Sequence, residues 1–69
     1  MREFAYEIKA HLGTISKDDD GEKAVKLISY NGRKPKYDIR TWRGSKMLKG
    51  ITLTEEEARQ LYKILGESL

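Results

Sequence analysis

The first pattern along the chain has a period of two. Phe4, Tyr6, Ile8, Ala10 and Leu12 share one parity, and Ala5, Glu7, Lys9 and His11 share the other. Such alternation predicts a half-buried strand, placed at about 4–16. Asp18-Asp19-Asp20-Gly21 reads as a turn, its glycine able to take positive φ. A second strand follows at about 23–30, rich in β-branched, aliphatic and aromatic residues (AVKLISY). Asn31-Gly32 is a strong hairpin signal, and Pro35 lengthens that loop beyond two residues.

The third strand, 36–43, places Tyr37, Ile39 and Thr41 on one face and Lys36, Asp38, Arg40 and Trp42 on the other. Arg43-Gly44-Ser45-Lys46 turns the chain into a fourth strand at about 47–53, where Gly50 signals a bulge or a close backbone approach. The period then changes. Ala58, Leu61, Tyr62 and Leu65 follow the spacing of one helical face, predicting a helix at about 55–66. Thr54 and Glu57 form a capping box, Glu55, Glu56 and Glu57 suit the positive end of the helix dipole, and Gly66 is the expected stop. The fold class is α+β: a four-stranded antiparallel meander and a C-terminal helix, ββββα, in a single domain over 1–69.

Sixty-nine residues make a thin core. Domains of this size usually add disulfides, a metal or a second subunit. Cysteine is absent, so disulfides, cysteine nucleophiles and Cys-based zinc sites are excluded, and His11 is the single histidine, which excludes a His-rich metal cluster. Self-association is left, and a homodimer with open, curved sheets is expected. The apolar stripe of Leu61, Tyr62 and Leu65, flanked by Ile64 and Leu69, is wider than one small sheet requires, so Leu61, Tyr62, Ile64 and Leu65 are the expected dimer contacts. No apolar run approaches the ~20 residues of a membrane span, and the opening MREFAYEIKA is not a signal peptide. A soluble, cytoplasmic protein is the expectation.

Charge changes the picture more than composition does. Residues 1–22 carry three bases and six acids; residues 23–54 carry nine bases and one acid, Asp38; residues 55–69 carry two bases and four acids. A solubilising surface interleaves both signs, whereas here they are segregated into a central basic block that attracts polyanions. Within it, Lys26, Tyr30, Arg33, Lys34, Lys36, Arg40, Trp42, Arg43, Lys46 and Lys49 interleave cations with aromatics. Cations neutralise phosphates, and aromatic faces stack unpaired bases for about 1–3 kcal/mol per base with little regard to sequence. One helix covers part of one sheet face, which predicts an open face carrying Arg40 and Trp42. On that parity Trp42 is expected to be exposed rather than a core anchor, whereas Tyr37 belongs to the core.

Catalysis finds little support. Asp38 lies between Lys36 and Arg40 and reads as an ion-pair partner, His11 as a surface residue. Asp18-Asp19-Asp20-Gly21 resembles the start of a calcium loop but lacks the downstream bidentate glutamate. No cofactor or metal is expected.

Tyr37-Asp38-Ile39-Arg40-Thr41-Trp42, followed by Lys49-Gly50-Ile51-Thr52-Leu53 and an acidic helix start, resembles the transcriptional positive cofactor four family over roughly residues 22–67, with the bacterial YdbC-type branch nearest. The resemblance implies a ββββα homodimer that binds single-stranded DNA across exposed, curved sheets with little sequence preference. It implies that Tyr30 stacks on a base, that Arg33 and Lys34 meet phosphate, and that Arg40 and Lys49 match the family's D-I-R and K-G-I-[ST]-L motifs. Eukaryotic members carry the tryptophan one residue further along; the nearer branch has D-I-R-x-W, as here, so a stacking Trp42 follows that branch. The turn between the last two strands is short here, without the longer loop of other members. The expected function is sequence-tolerant single-stranded DNA binding in transcription, replication or repair, with transcription or replication proteins as further partners. RNA binding by the same surface, or a basic protein-interaction module meeting an acidic transcription partner, are the alternatives.

Overall fold

A computed structural model describes residues 5–69. Four antiparallel strands form one sheet in chain order: β1 (Tyr6–Asp18), β2 (Gly21–Tyr30), β3 (Lys36–Arg43) and β4 (Lys46–Leu53), followed by helix α1 (Glu55–Ser68). The ββββα order is as the sequence predicts; Phe4, part of the first alternating run, lies outside the described residues. Among those residues, no helix is long and apolar enough to cross a membrane.

The turns have the chemistry their residues dictate. Asp18 Oδ1 accepts the Asp20 amide at 2.8 Å, folding Asp19-Asp20 into a tight link between β1 and β2. Asn31 and Gly32 both take positive φ, 54° and 75°, and the Arg33 amide returns to the Tyr30 carbonyl at 3.0 Å. At the helix start Thr54 Oγ1 accepts the Glu57 amide at 3.1 Å, and Glu57 Oε1 accepts the Thr54 amide at 2.9 Å. Both halves of the capping box are therefore closed. Gly66 does not stop the helix: its φ is not positive, and the helix continues to Ser68 with Leu69 as its cap.

The strict alternation expected of β1 fails. Its pairing with β2 shifts register between Ile8 and Ala10, between His11 and Gly13, and between Thr14 and Ser16. Ile8 pairs with Ile28 but Ala10 with Leu27, so Tyr6, Ile8 and Ala10 do not remain on one face. Bulges bend a strand and increase its twist. Their effect is visible in two rings. Tyr6 pairs with Tyr30 at one end of β2, and Trp42 pairs with Glu22 at the other. Eight residues of flat strand would hold those pairs about 26 Å apart. The Tyr6 and Trp42 ring centroids lie 6.2 Å apart. The sheet is coiled into a cup.

The cup relocates the core. Ala24, Ile28 and Trp42 are buried within it, with Tyr30 and Met47 packed against them. This is the face carrying Arg40 and Trp42, predicted to be open. The parity assigned to β3 is right, but curvature brings the side chains of that face together and they cover one another. On the opposite face Val25, Leu27, Tyr37, Ile39 and Leu53 are half-buried and Ile51 is exposed. Among the described residues, helix α1 packs beside β3 and β4, and none of its own residues is buried.

Gly50 is where β4 comes closest to β3. A methyl group added there would overlap Arg40 Cβ and stand 2.5 Å from the Ile39 carbonyl oxygen. Both the bulge and the close approach read from the sequence are present, since the β3–β4 register shifts between Arg40 and Trp42. The obstructing atoms are mostly backbone and cannot swing away. Gly50→Ala is therefore expected to destabilise the fold by about 1–3 kcal/mol, measured as a lowered urea midpoint, while Gly66→Ala, with no atom within 4 Å of the added methyl, does not destabilise it.

Candidate nucleic-acid interface

The interior of the cup is organised by one carboxylate. Asp38 is fully buried, and the strands on both sides supply its partners. From β2, Tyr30 donates its hydroxyl to Oδ2 at 2.6 Å; from β4, Thr52 donates to the same oxygen at 3.2 Å. Arg40, two residues along β3, donates Nε to Oδ1 at 2.6 Å and Nη2 to Oδ2 at 2.7 Å. This planar, two-pronged arrangement is the strong form of a charged hydrogen bond. The third guanidinium nitrogen, Nη1, donates to the Leu48 carbonyl at 2.9 Å.

The electrostatics follow from these contacts. Burial pushes the Asp38 carboxyl up, but hydrogen bonds from Arg40, Tyr30 and Thr52 and the Arg40 charge outweigh it and hold the group below the ordinary aspartate range. Tyr30 moves up, first through burial and then through its bond to Asp38, so its phenol stays protonated. Asp38 is the ion-pair partner expected from the sequence. Arg40, however, is committed: its side chain is 13% exposed and all three guanidinium nitrogens are engaged. The Arg of the D-I-R motif holds the sheet here rather than standing free for phosphate.

Trp42 departs further from expectation. It is 3% exposed, not an open stacking platform. Tyr6 leans on it, and Lys26 Nζ sits 3.9 Å from the ring centroid, a cation–π contact that caps the indole. Among the described residues no acceptor meets its buried indole N–H.

The remaining cations are distributed unevenly. Lys36 is exposed and pairs with Ile28, at the edge of the same face. Arg33 and Lys34 are exposed in the β2–β3 turn beyond Tyr30. Lys46 pairs with Arg43 at the β3–β4 turn, and Arg43 donates Nε to the Asp20 carbonyl at 3.1 Å. Lys49 is exposed within the β4 bulge. The fold thus gathers Lys26, Tyr30, Lys36, Arg40 and Trp42 on one face, while Lys46 and Lys49 stand apart on the β4 side. Two residues of that face were not singled out from sequence. Tyr6 joins the aromatic cluster with its ring 6.3 Å from that of Tyr30, and Glu22 lies directly across from Trp42. Only the register reveals either. Among the described residues no group of three or more His, Asp or Glu side chains is arranged to hold a metal.

The helix presents the other candidate surface. Ala58 and Leu61 are half-buried, whereas Tyr62 is 82% exposed and Ile64 and Leu65 are also exposed. Three of the four residues expected at a subunit contact are uncovered in the single chain.

Removing Asp38 would leave Arg40 without its counter-charge inside the sheet. Asp38→Ala is expected to cost about 3 kcal/mol, read from urea unfolding at neutral pH. Because the folded-state pKa is depressed, the stabilisation is complete above the unfolded value of about 4 and is lost as pH falls through the folded one. The wild type should lose stability on acidification below pH about 4, and Asp38→Asn, less stable at neutral pH, should lose less over the same interval. Equal acid-side losses in both proteins would remove Asp38 from this role.

Residues 17–64 match the family described as Transcriptional Coactivator p15 (PC4), a span that includes all four strands in whole or in part, every residue of the Asp38 network and most of the helix. Over 67 residues the chain is also 46% identical to an uncharacterized protein of Treponema pallidum (strain Nichols), an alignment covering 93% of this chain and 79% of that protein. With a family match over most of its length and the expected open sheet and C-terminal helix, the chain belongs to the Transcriptional Coactivator p15 (PC4) family.

Proposed function

We propose that this protein is a non-catalytic, sequence-tolerant binder of single-stranded DNA acting as a homodimer in the bacterial cytoplasm, in transcription, replication or repair. The observation that carries the reading is the stack of Lys26 on Trp42 inside a basic, aromatic cup. A cation held over an indole is a placeholder for two ligand groups at once. When a single strand approaches, Lys26 exchanges the ring for a phosphate, and the uncovered indole takes a base. Duplex DNA offers the phosphate but not the base face, so it gains only half of the exchange. Lys36, Arg33 and Lys34 extend the phosphate track along the rim; Tyr6 and Tyr30 widen the stacking surface. Arg40 acts through Asp38 by fixing the Tyr30 hydroxyl.

Homodimerisation rests on the helix. A large apolar stripe that is uncovered in one chain needs a partner surface, and a second copy supplies a self-complementary one.

Two measurements test the reading. Trp42 is the sole tryptophan, so its fluorescence reports the exchange directly. Titration with oligo-dT is expected to quench emission strongly and duplex of equal length weakly. Lys26→Ala should reduce the log–log salt slope by about 0.7, the share of one phosphate on a single strand. An unchanged emission with both nucleic acids would end the stacking proposal. Sedimentation should separately show a dimer that dissociates in Leu65→Glu; a monomeric wild type would remove the homodimer.

A further inference from the structure

Glu22 is an acid on the face that this reading assigns to a polyanion, and it is held there. It sits on β2 directly across from Trp42. Its Oε2 accepts a short hydrogen bond from Thr14 Oγ1, and His11 Nε2 lies 4.0 Å from the same oxygen. Among the described residues nothing donates to Oε1. The bond from Thr14, and to a lesser degree His11, Lys17 and Lys26, keep the carboxyl ionised, below the ordinary glutamate range. Residues 17, 18, 19, 22, 42 and 43 line an open cleft of about 320 Å³ at this end of the cup.

The charges in that cleft decide its chemistry. Asp18, Asp19 and Glu22 outnumber Lys17 and Arg43, so it is a poor seat for phosphate. A carboxylate with a free oxygen accepts hydrogen bonds and gives none. Among nucleic-acid groups its partners are therefore N–H donors on base edges, and the exocyclic amino group of cytosine is a known carboxylate partner. Thymine lacks an amino group, and its single edge donor, N3–H, is flanked on both sides by carbonyl oxygens that a carboxylate repels. Trp42 borders the same cleft with an indole N–H that has no acceptor among the described residues. The two groups together match a base that carries both an amino donor and a carbonyl acceptor.

We propose that Glu22 is a specificity-determining residue that makes one subsite of this face prefer an amino-bearing base, cytosine being the test case, over thymine. The inference rests on the single-strand reading above and refines it: most positions remain sequence-tolerant, and one does not.

The test compares oligo-dC and oligo-dT of equal length at pH 7.5, where neither base is charged, in the full chain. The wild type is expected to bind oligo-dC about tenfold more tightly, the weight of one hydrogen bond to a charged group. In Glu22→Ala the preference should collapse to within about twofold as oligo-dC loses its acceptor and oligo-dT its repulsion. Glu22→Gln, which keeps the shape and can bond either base, should sit between them and confirm that the fold is intact. Tight binding of both oligomers without a preference, or a preference that survives in Glu22→Ala, overturns the role of Glu22 and leaves single-strand binding standing. Binding of neither oligomer overturns both.

Discussion

A buried carboxylate is costly unless every lone pair is answered, and the sheet is organised around answering one. Asp38 is fully buried and takes hydrogen bonds from Tyr30 on β2, Arg40 on β3 and Thr52 on β4. Three neighbouring strands are thereby locked at one register. A slip of one residue would send Asp38 and Arg40 together to the other face, away from Tyr30, Thr52 and the Leu48 carbonyl. Breaking such a pair costs more than forming it returns, so its value lies in specifying this arrangement over others. Gly50 belongs to the same constraint. It faces Arg40 across the β3–β4 pair, and only a residue without a Cβ leaves room there.

That constraint also redistributes the cations. Arg40 looks from sequence like one more positive charge in a basic block, but its guanidinium is consumed inside the protein. Lys26 occupies the opposite situation. It is held by a ring rather than by a carboxylate, and a cation–π contact at a partly exposed site is worth about 0.5–1 kcal/mol. A contact that weak can be exchanged; the Asp38 pair cannot. The cup therefore contains a fixed charge that shapes it and a movable charge that covers its indole.

Much of this was legible in the sequence. Local signals held wherever one or two residues decide the outcome. The Thr54–Glu57 capping box closed, Asn31-Gly32 took positive φ, and Gly50 marked both a bulge and a close approach. Parity also assigned Asp38, Arg40 and Trp42 to a common face. What parity cannot carry is curvature. The three register shifts in β1 follow no residue type that distinguishes them, and they turn an open face into a cup that buries Trp42. The same gap hid Tyr6 and Glu22, whose partners are set by pairing across strands. Gly66 failed for the converse reason: a glycine can end a helix but need not, and its helical conformation persists to Ser68.

Among the described residues the buried apolar core is Ala24, Ile28 and Trp42, and the helix contributes none. The two faces of the sheet consequently pose different problems. The cup is held by aromatic contacts, a cation over the indole and a paired carboxylate, all within a single chain, with the buried indole N–H of Trp42 left without an acceptor among the described residues. The opposite face has a helix whose capping box makes it locally sound but whose contacts with β3 and β4 leave Tyr62, Ile64 and Leu65 in water. Capping stabilises a helix end by about 1 kcal/mol and cannot anchor a helix to a sheet. Anchoring requires apolar burial, and the described residues of one chain bury no helix residue, which is the physical ground for the proposed second copy on that side. The residues proposed for assembly, Tyr62, Ile64 and Leu65, and those proposed for nucleic acid, Lys26, Tyr30 and Trp42, are different ones on different elements, so the two proposals do not compete for the same surface.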